Sequence, residues 1–465
     1  MVGPKYTKPA VSLAPATGVI PIDHFKETDP NWAPANPADD AIKGEWWTLF
    51  HDPQLNALEL QVPKTNQTLR VAEANFDAAR AAIRVSRAAL YPTIGAAPFA
   101  GGERDSNTRP YFTPPTPNNG TGDIQLPLDL SYEVDLWGQV RRQVAESKEE
   151  AQATAADLAN VLLSLEAELA VDYFEVRAAD AEKKLLDDTV GQYREALRVT
   201  TNRFEGGVTS KADVSQAETQ LQAAMVEASD IAIRRAQYEH AIAMLTGQQP
   251  AAFSLPVSVQ SYDPPAIPVG LPSELLERRP DVAAAERRVH EANERIGIAR
   301  AAYFPNLNLS LLAGFESTSL AGILNGSNIV YSLGPTLSQT FFDGGRRAGL
   351  SQQAIASYEQ TTAQYRQTAL TAFQQVEDNL VLLRVLADEA KQQHAATAAA
   401  QEAEQIFNNR YVGGVDTYLQ VITAQTTALN NERNDIDIMR RRMDASVLLI
   451  KALGGGWTTA QLPRY

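Results

Sequence analysis

Cysteine is missing from this 465-residue chain. That excludes disulfides, thiolate metal sites and cysteine nucleophiles, and it is compatible with an oxidising compartment. Basic charge is also short: 41 Lys and Arg stand against 56 Asp and Glu, a formal net charge of −15. A surface of that sign does not attract bare phosphate, so nucleic acid is not an expected partner, and it has no electrostatic grip on anionic lipid. No run of about 20 apolar residues occurs, so no transmembrane helix is expected. The opening MVGPKYTKPA has no apolar stretch behind its charges and does not read as a signal peptide. Methionine is rare, 5 residues without clustering, which gives no support to a methionine-lined copper path. His24, His51, His240, His290 and His394 show no metal-ligand spacing. No metal or cofactor is implied, and no nucleophile–base pair or carboxylate pair marks an enzyme.

Proline is absent from 128 to 249, and Gly191 is the only glycine between 139 and 205. What fills this stretch is Ala, Glu, Gln, Leu and Arg, all good helix formers. Leu162, Leu165, Leu169, Tyr173 and Val176 follow 3-4 spacing. The pattern predicts a helix over about 138–204, roughly 100 Å long at 1.5 Å per residue. RFEGGVTSKADV (203–214) turns the chain, and a second helix runs over about 210–246. A long helix of the same kind is expected over about 345–411, with a partner over about 416–452.

Four segments alternate instead. In QLPLDLSYEVDLWG (125–138), Leu126, Leu128, Leu130, Tyr132, Val134 and Leu136 share one side. Gln125, Asp129, Ser131, Glu133 and Asp135 share the other, interrupted by Pro127. Strands are predicted at about 91–101, 123–136, 303–316 and 329–342, the first weakened by its prolines. Tyr303, Leu307, Leu309, Leu311 and Phe315 oppose Asn306, Asn308 and Ser310, and the last strand sorts in the same way. Strands of about 10 residues with one apolar and one polar face suit a membrane barrel wall. A soluble sandwich with one buried face has the same alternation.

The chain also repeats itself. RAALYP (87–92) returns as RAAYFP (300–305), DLWGQVRR (135–142) as FFDGGRR (341–347), and NRFEGGVTS (202–210) as NRYVGGVDT (409–417). The expected organisation is therefore an N-terminal extended arm and equatorial segment (1–64), a first repeat (65–255), a connector (256–272), a second repeat (273–453) and a tail (454–465). Two other motifs read as structure. Arg278–Arg279–Pro280–Asp281 starts a helix, and GGR (344–346) and GGG (454–456) lack the spacing of a phosphate loop.

In this order, VGPKYTKP (2–9), WW with DPQL (46–55), RAALYP, YEVDLWG (132–138), LLERRPDVAAAE (275–286), FFDGGRR, NRYVGGVDTYLQV (409–421) and KALGGGW (451–457) resemble the TolC-type outer-membrane efflux ducts. The likeness is to their OprM-like, NodT-type lipoprotein subgroup, within tripartite efflux systems of the RND type. It spans essentially the whole chain.

The resemblance implies an α+β membrane protein and a homotrimer. Four strands per chain would make a 12-stranded outer-membrane β-barrel, continuous with a long α-helical coiled-coil tunnel through the periplasm. It implies a passive export duct for drugs or other small solutes, not an enzyme. The implied partners are a periplasmic membrane-fusion adaptor, an inner-membrane RND-type transporter and outer-membrane lipid. The apolar strand faces would meet lipid, and Asp129, Glu133 and Asp135 would line a cation-favouring lumen.

Phe204, Gly206, Gly207 and Val208, with Tyr411, Gly413, Gly414 and Val415, resemble the hairpin tips that meet the adaptor. Leu419 matches a gate leucine. Thr423 stands where relatives often carry aspartate, and Asp416 and Asp213 are the nearby candidates for gate charge. The subgroup carries a lipidated cysteine where Met1 stands. The expectation is a recombinant chain whose signal peptide and anchoring cysteine were replaced by an initiator Met. The alternative from another class is a soluble coiled-coil scaffold or adaptor protein.

Overall fold

The computed structural model describes residues 1–11, 25–27, 44–104, 106, 120–267 and 275–465. Much of the expected arm, most of the loop at 102–121 and the end of the connector lie outside the described residues.

The first helical element among the described residues is a short 3-10 turn, Trp46–Phe50. The Asp52 carboxylate then accepts from the amides of Gln54 and Leu55, with Pro53 at the first helical position, and α1 (Pro53–Glu59) forms. α2 (Val62–Thr65) and α3 (Gln67–Ala88) follow, α3 capped by the Asn66 side chain on the Leu69 amide at 3.0 Å. The chain enters the sheet as β1 (Thr93–Ala96) and β2 (Phe99–Glu103) and returns as β3 (Thr121–Val134).

α4 (Gln139–Glu205) has 67 residues and α5 (Lys211–Leu245) has 35. α6 (Leu275–Arg278) and α7 (Pro280–Ala301) lead to β4 (Asn306–Ser317) and β5 (Ile329–Ser338). α8 (Arg346–Val412) and α9 (Tyr418–Ala452) again have 67 and 35 residues. Pro280 does open α7, and Arg279 grips Asp281 in its first turn at 2.6 Å. No helix among the described residues is long and apolar enough to cross a membrane.

The expected single strand at 91–101 is split in two. Ala96 pairs with Leu128 and Phe99 with Gln125, so the register is unchanged across the gap. That register sets Ala97 opposite Pro127 and Pro98 opposite Leu126. Neither proline has an N–H to give, so the ladder opens there without slipping. The expected strand at 329–342 ends at Ser338, leaving Phe341 and Phe342 outside the sheet and almost fully exposed.

The sheet is antiparallel, in the order β1/β2–β3–β4–β5. Its register aligns apolar rungs: Ile94–Leu130–Leu311–Leu333, then Ala96–Leu128–Ala313–Tyr331. Rungs of the other face read Thr93–Ser131–Ser310–Gly334 and Glu133–Asn308–Thr336. Leu312, opposite Asp129, interrupts the polar face. Among the described residues no layer covers the apolar face: Ile94, Leu128, Tyr331 and Leu333 are all exposed. A soluble sandwich would bury them.

The core lies instead beside the middle of the long helices. Trp46, Phe50, Leu55 and Val62 pack on Leu169, Tyr173 and Phe174 of α4, with Ile242 from α5 and Met443 and Val447 from α9. Elsewhere helices meet through alanine, as at Ala151, Ala156, Ala283 and Ala284, which lets backbones approach closely. α4 is central, packing on α3, α5, α7 and α9. α8 packs on α7, α9 and the short α6, and it keeps Leu350, Leu370, Leu382 and Ile406 exposed.

Candidate functional site

The two hairpin tips have the same backbone geometry for the same reason. At the end of α4, Gly207 N–H donates to Phe204 O at 2.9 Å and Val208 N–H to Arg203 O at 2.8 Å. At the end of α8, Gly414 N–H donates to Tyr411 O at 3.0 Å and Val415 N–H to Arg410 O at 2.9 Å. This closure needs a left-handed residue, and Gly207 (φ 75°) and Gly414 (φ 77°) supply it. Gly206 and Gly413 stay right-handed, so only one glycine of each pair is required by the turn. Val208 and Val415 point outward, 67% and 68% exposed.

The tips are tied to each other. Arg203 donates to Tyr411 O at 2.6 Å, and its guanidinium lies 4.5 Å from the Tyr411 ring centre. Tyr411 is buried against Tyr418, ring centres 5.4 Å apart, and burial pushes the Tyr418 hydroxyl up to about 12. Phe204 is partly exposed, with the Lys211 ammonium 5.8 Å from its ring centre.

Asp213 caps α5. It accepts from the Thr209 and Ser210 hydroxyls and the Ser210 amide, and the Thr209 bond leads in holding its carboxyl below the usual range. Asp416 is held by Arg410 at 2.5 Å, which lowers it likewise. Leu419 is 55% exposed in the single chain. Thr423, one turn on, donates its hydroxyl to Leu419 O at 2.8 Å.

On the sheet, Asp129 and Glu133 lie on the polar face, both in β3. Asp135 lies one residue beyond β3 and is held by Arg141 at 3.0 Å through both the backbone amide and the guanidinium. It braces the strand-to-helix joint. Asp343 and Arg347 repeat the arrangement at the start of α8, at 2.6 Å.

Aromatics collect at this end of the sheet. Trp137 stacks on Phe304 at 4.7 Å and donates to Pro305 O at 2.8 Å, and Tyr91, just before β1, and Phe341 and Phe342, just after β5, are exposed. Residue 2 is fastened here too, Val2 N–H donating to Trp137 O at 2.9 Å.

An open sheet with one apolar face, set on tunnel-length helices, is the architecture that matches in comparison with known proteins. The family model for outer membrane efflux proteins matches residues 61–248 and 271–455. The chain belongs to that family. It is 32% identical over 433 residues to the antibiotic efflux pump outer membrane protein ArpC of Pseudomonas putida, covering 92% of this chain and 88% of ArpC. The toluene efflux pump outer membrane protein TtgC of Pseudomonas putida matches to the same extent. The solved outer-membrane channel OprN superposes with a TM-score of 0.87 at 28% identity, over 98% of this chain and 99% of OprN.

This outer membrane efflux protein is thus a transport channel of the outer membrane and periplasm, working in tripartite systems of the RND type, and not a catalyst. The soluble-scaffold alternative falls with the same observations. Sequence reasoning missed Arg203 and Arg410. Each stands in the repeated N-R-x-x-G-G-V motif directly before the tip residues that were singled out, so the repeat itself carried the signal.

Proposed function

We propose that three copies of this efflux protein form a 12-stranded barrel continuous with a helical tunnel, and that solutes leave the cell through it. The single observation that carries this reading is the open, single-faced sheet. Among the described residues its outer strands, β1/β2 and β5, have no partner on one side. In lipid such an edge would leave backbone N–H and C=O groups unsatisfied, so the wall must close on other copies. The number three follows the family resemblance. The exposed apolar side chains of α8 suit the flank of α3 and α5 on a neighbouring copy, where Val71, Val226 and Ile233 are exposed. The equal lengths of the two helix pairs support a two-fold internal repeat, with the boundaries 65–255 and 273–453.

In this assembly Asp129 and Glu133 line the lumen and favour cations. Phe204 to Val208 and Tyr411 to Val415 meet a periplasmic membrane-fusion adaptor, which links the duct to an inner-membrane RND-type transporter. Leu419 and Thr423 narrow the closed tip, and the Arg203–Tyr411 tie holds the two hairpins of one chain together there. Residue 1 lies beside the aromatic collar, so a lipidated cysteine at that position would reach the membrane interface. The names of the relatives point to small organic solutes such as toluene and antibiotics as cargo. The test is the mass of the detergent-extracted particle, corrected for bound detergent. Three times the 50.6 kDa chain is expected, and a monomer would overturn the reading.

A further inference from the structure

Two acids, Glu59 and Glu166, lie in the apolar core beside α4. Glu59, the last residue of α1, is 0% exposed, and neither of its carboxylate oxygens has a hydrogen-bond partner among the described residues. Glu166, on α4, is 7% exposed and accepts from the Trp46 indole N–H at 3.2 Å. Glu166 is the charge that Glu59 feels, and among the described residues no arginine, lysine or histidine pairs with either.

Other polar groups of the segment are engaged elsewhere. Asp52 accepts from Tyr173 at 2.6 Å and from Tyr262 at 3.2 Å, and Gln54 accepts from Arg177 at 2.5 Å. α5 and α9 add apolar side chains to this core, Ile242 and Met443 among them. The charged groups nearer α9, Asp172, Glu175, Asp444 and Arg440, act on one another. Two carboxylates enclosed together without a cation are held in the protonated form.

We propose that Glu59 and Glu166 make the seating of the 46–65 segment on α4 depend on protons: both carboxyls are enclosed at that seam without a cation, and losing their protons loosens the segment from α4. Burial pushes Glu59 well above the usual carboxylate range and Glu166 up to about 7. The docked form therefore binds more protons than the undocked form. Docking is strongest below the ordinary glutamate value of 4.5 and weakens as the pH rises above it, up to about 7 for Glu166, with Glu59 adding to the loss in the same direction. The segment leans on the middle of α4, the central helix of the chain, so its release would free α4 to shift.

The test is hydrogen exchange of 46–65 in the detergent-extracted protein from pH 5 to 8, corrected for the chemical pH dependence of exchange and referenced to α7. Opening should rise about tenfold per pH unit for each proton lost, and the E59Q/E166Q double variant should flatten that rise. A wild-type profile no steeper than α7, or a double variant as steep as wild type, overturns the proposal. A second readout does not depend on the variant folding. The infrared C=O band of protonated carboxyls should be present in the wild type at pH 6 and fall by pH 8. Wild-type protein with no such band at pH 6 also overturns it.

Discussion

Arg203, near the end of α4, donates to the backbone carbonyl of Tyr411, near the end of α8, at 2.6 Å. The two residues are 208 positions apart in sequence, and this bond joins one hairpin tip to the other. A gate that opens by parting the hairpins must break it. A hydrogen bond to a charged group contributes about 1.5–3 kcal/mol, and partial exposure puts this one at the low end. Arg203→Ala should therefore raise the open fraction about tenfold, read as larger and more frequent openings in planar bilayers. Unchanged conductance from intact assemblies would remove the tie from the gate.

Gly414 has a φ of 77°, and a side chain there would meet only the end of Arg203 at 4.0 Å. Gly414→Leu thus has room but imposes a left-handed backbone on a branched residue, at about 1–2 kcal/mol. The strain is confined to an exposed tip. Export of a toxic solute should fail while barrel assembly and surface level stay normal. Normal export at a normal level would show that this tip does not meet the adaptor.

Substitutions at Leu419 and Thr423 test their proposed place in a closed tip. Leu419→Ser should enlarge conductance without changing ion preference. Thr423→Asp should place a ring of carboxylates where hydroxyls now bond to their own helix, and make the currents sensitive to millimolar divalent cations. If Thr423→Asp brings no such sensitivity, position 423 does not line the passage.

The register of the sheet makes a sharper prediction about its faces. Leu333 lies on the exposed apolar face opposite Leu311, and Ser332 on the other face opposite Leu312. Leu333→Arg should cost about 2–4 kcal/mol in the lipid-facing position and lower the yield of heat-resistant assemblies. Ser332→Arg should leave assembly intact and shift the reversal potential toward anions. The opposite pattern would mean that the faces are reversed.

Asp213 links the tip to pH. Its carboxyl is held low by the Thr209 hydroxyl and the Ser210 cap. Its contribution is present above the ordinary aspartate range and is lost as the pH falls through its lowered value. Asp213→Ala should remove about 1 kcal/mol of cap stability and make protease cleavage at the first tip independent of pH below that range. Cleavage that keeps the wild-type acid dependence would assign it to another group.

The long helices were legible because they lack proline and nearly lack glycine. The tips were legible because paired glycines interrupt those runs twice. The faces of the sheet followed from alternation, since a period of two survives every local detail. The break at Pro98 was not legible in full, because it needs to be known that Pro127 lies across from Ala97. Arg203 was passed over because its partner is on the other repeat. Glu59 was invisible for a similar reason. It follows Leu55 and Leu58 in a short amphipathic stretch, where a glutamate is expected to face water. Only the packing of that stretch onto α4 encloses it.

The most direct test of a closed, acidic efflux duct is single-channel conductance of the detergent-extracted protein, with the reversal potential measured across a salt gradient. Small currents with a cation preference, enlarged by Arg203→Ala, are the expected result. Protein that stays soluble without detergent and never inserts into the bilayer would contradict it.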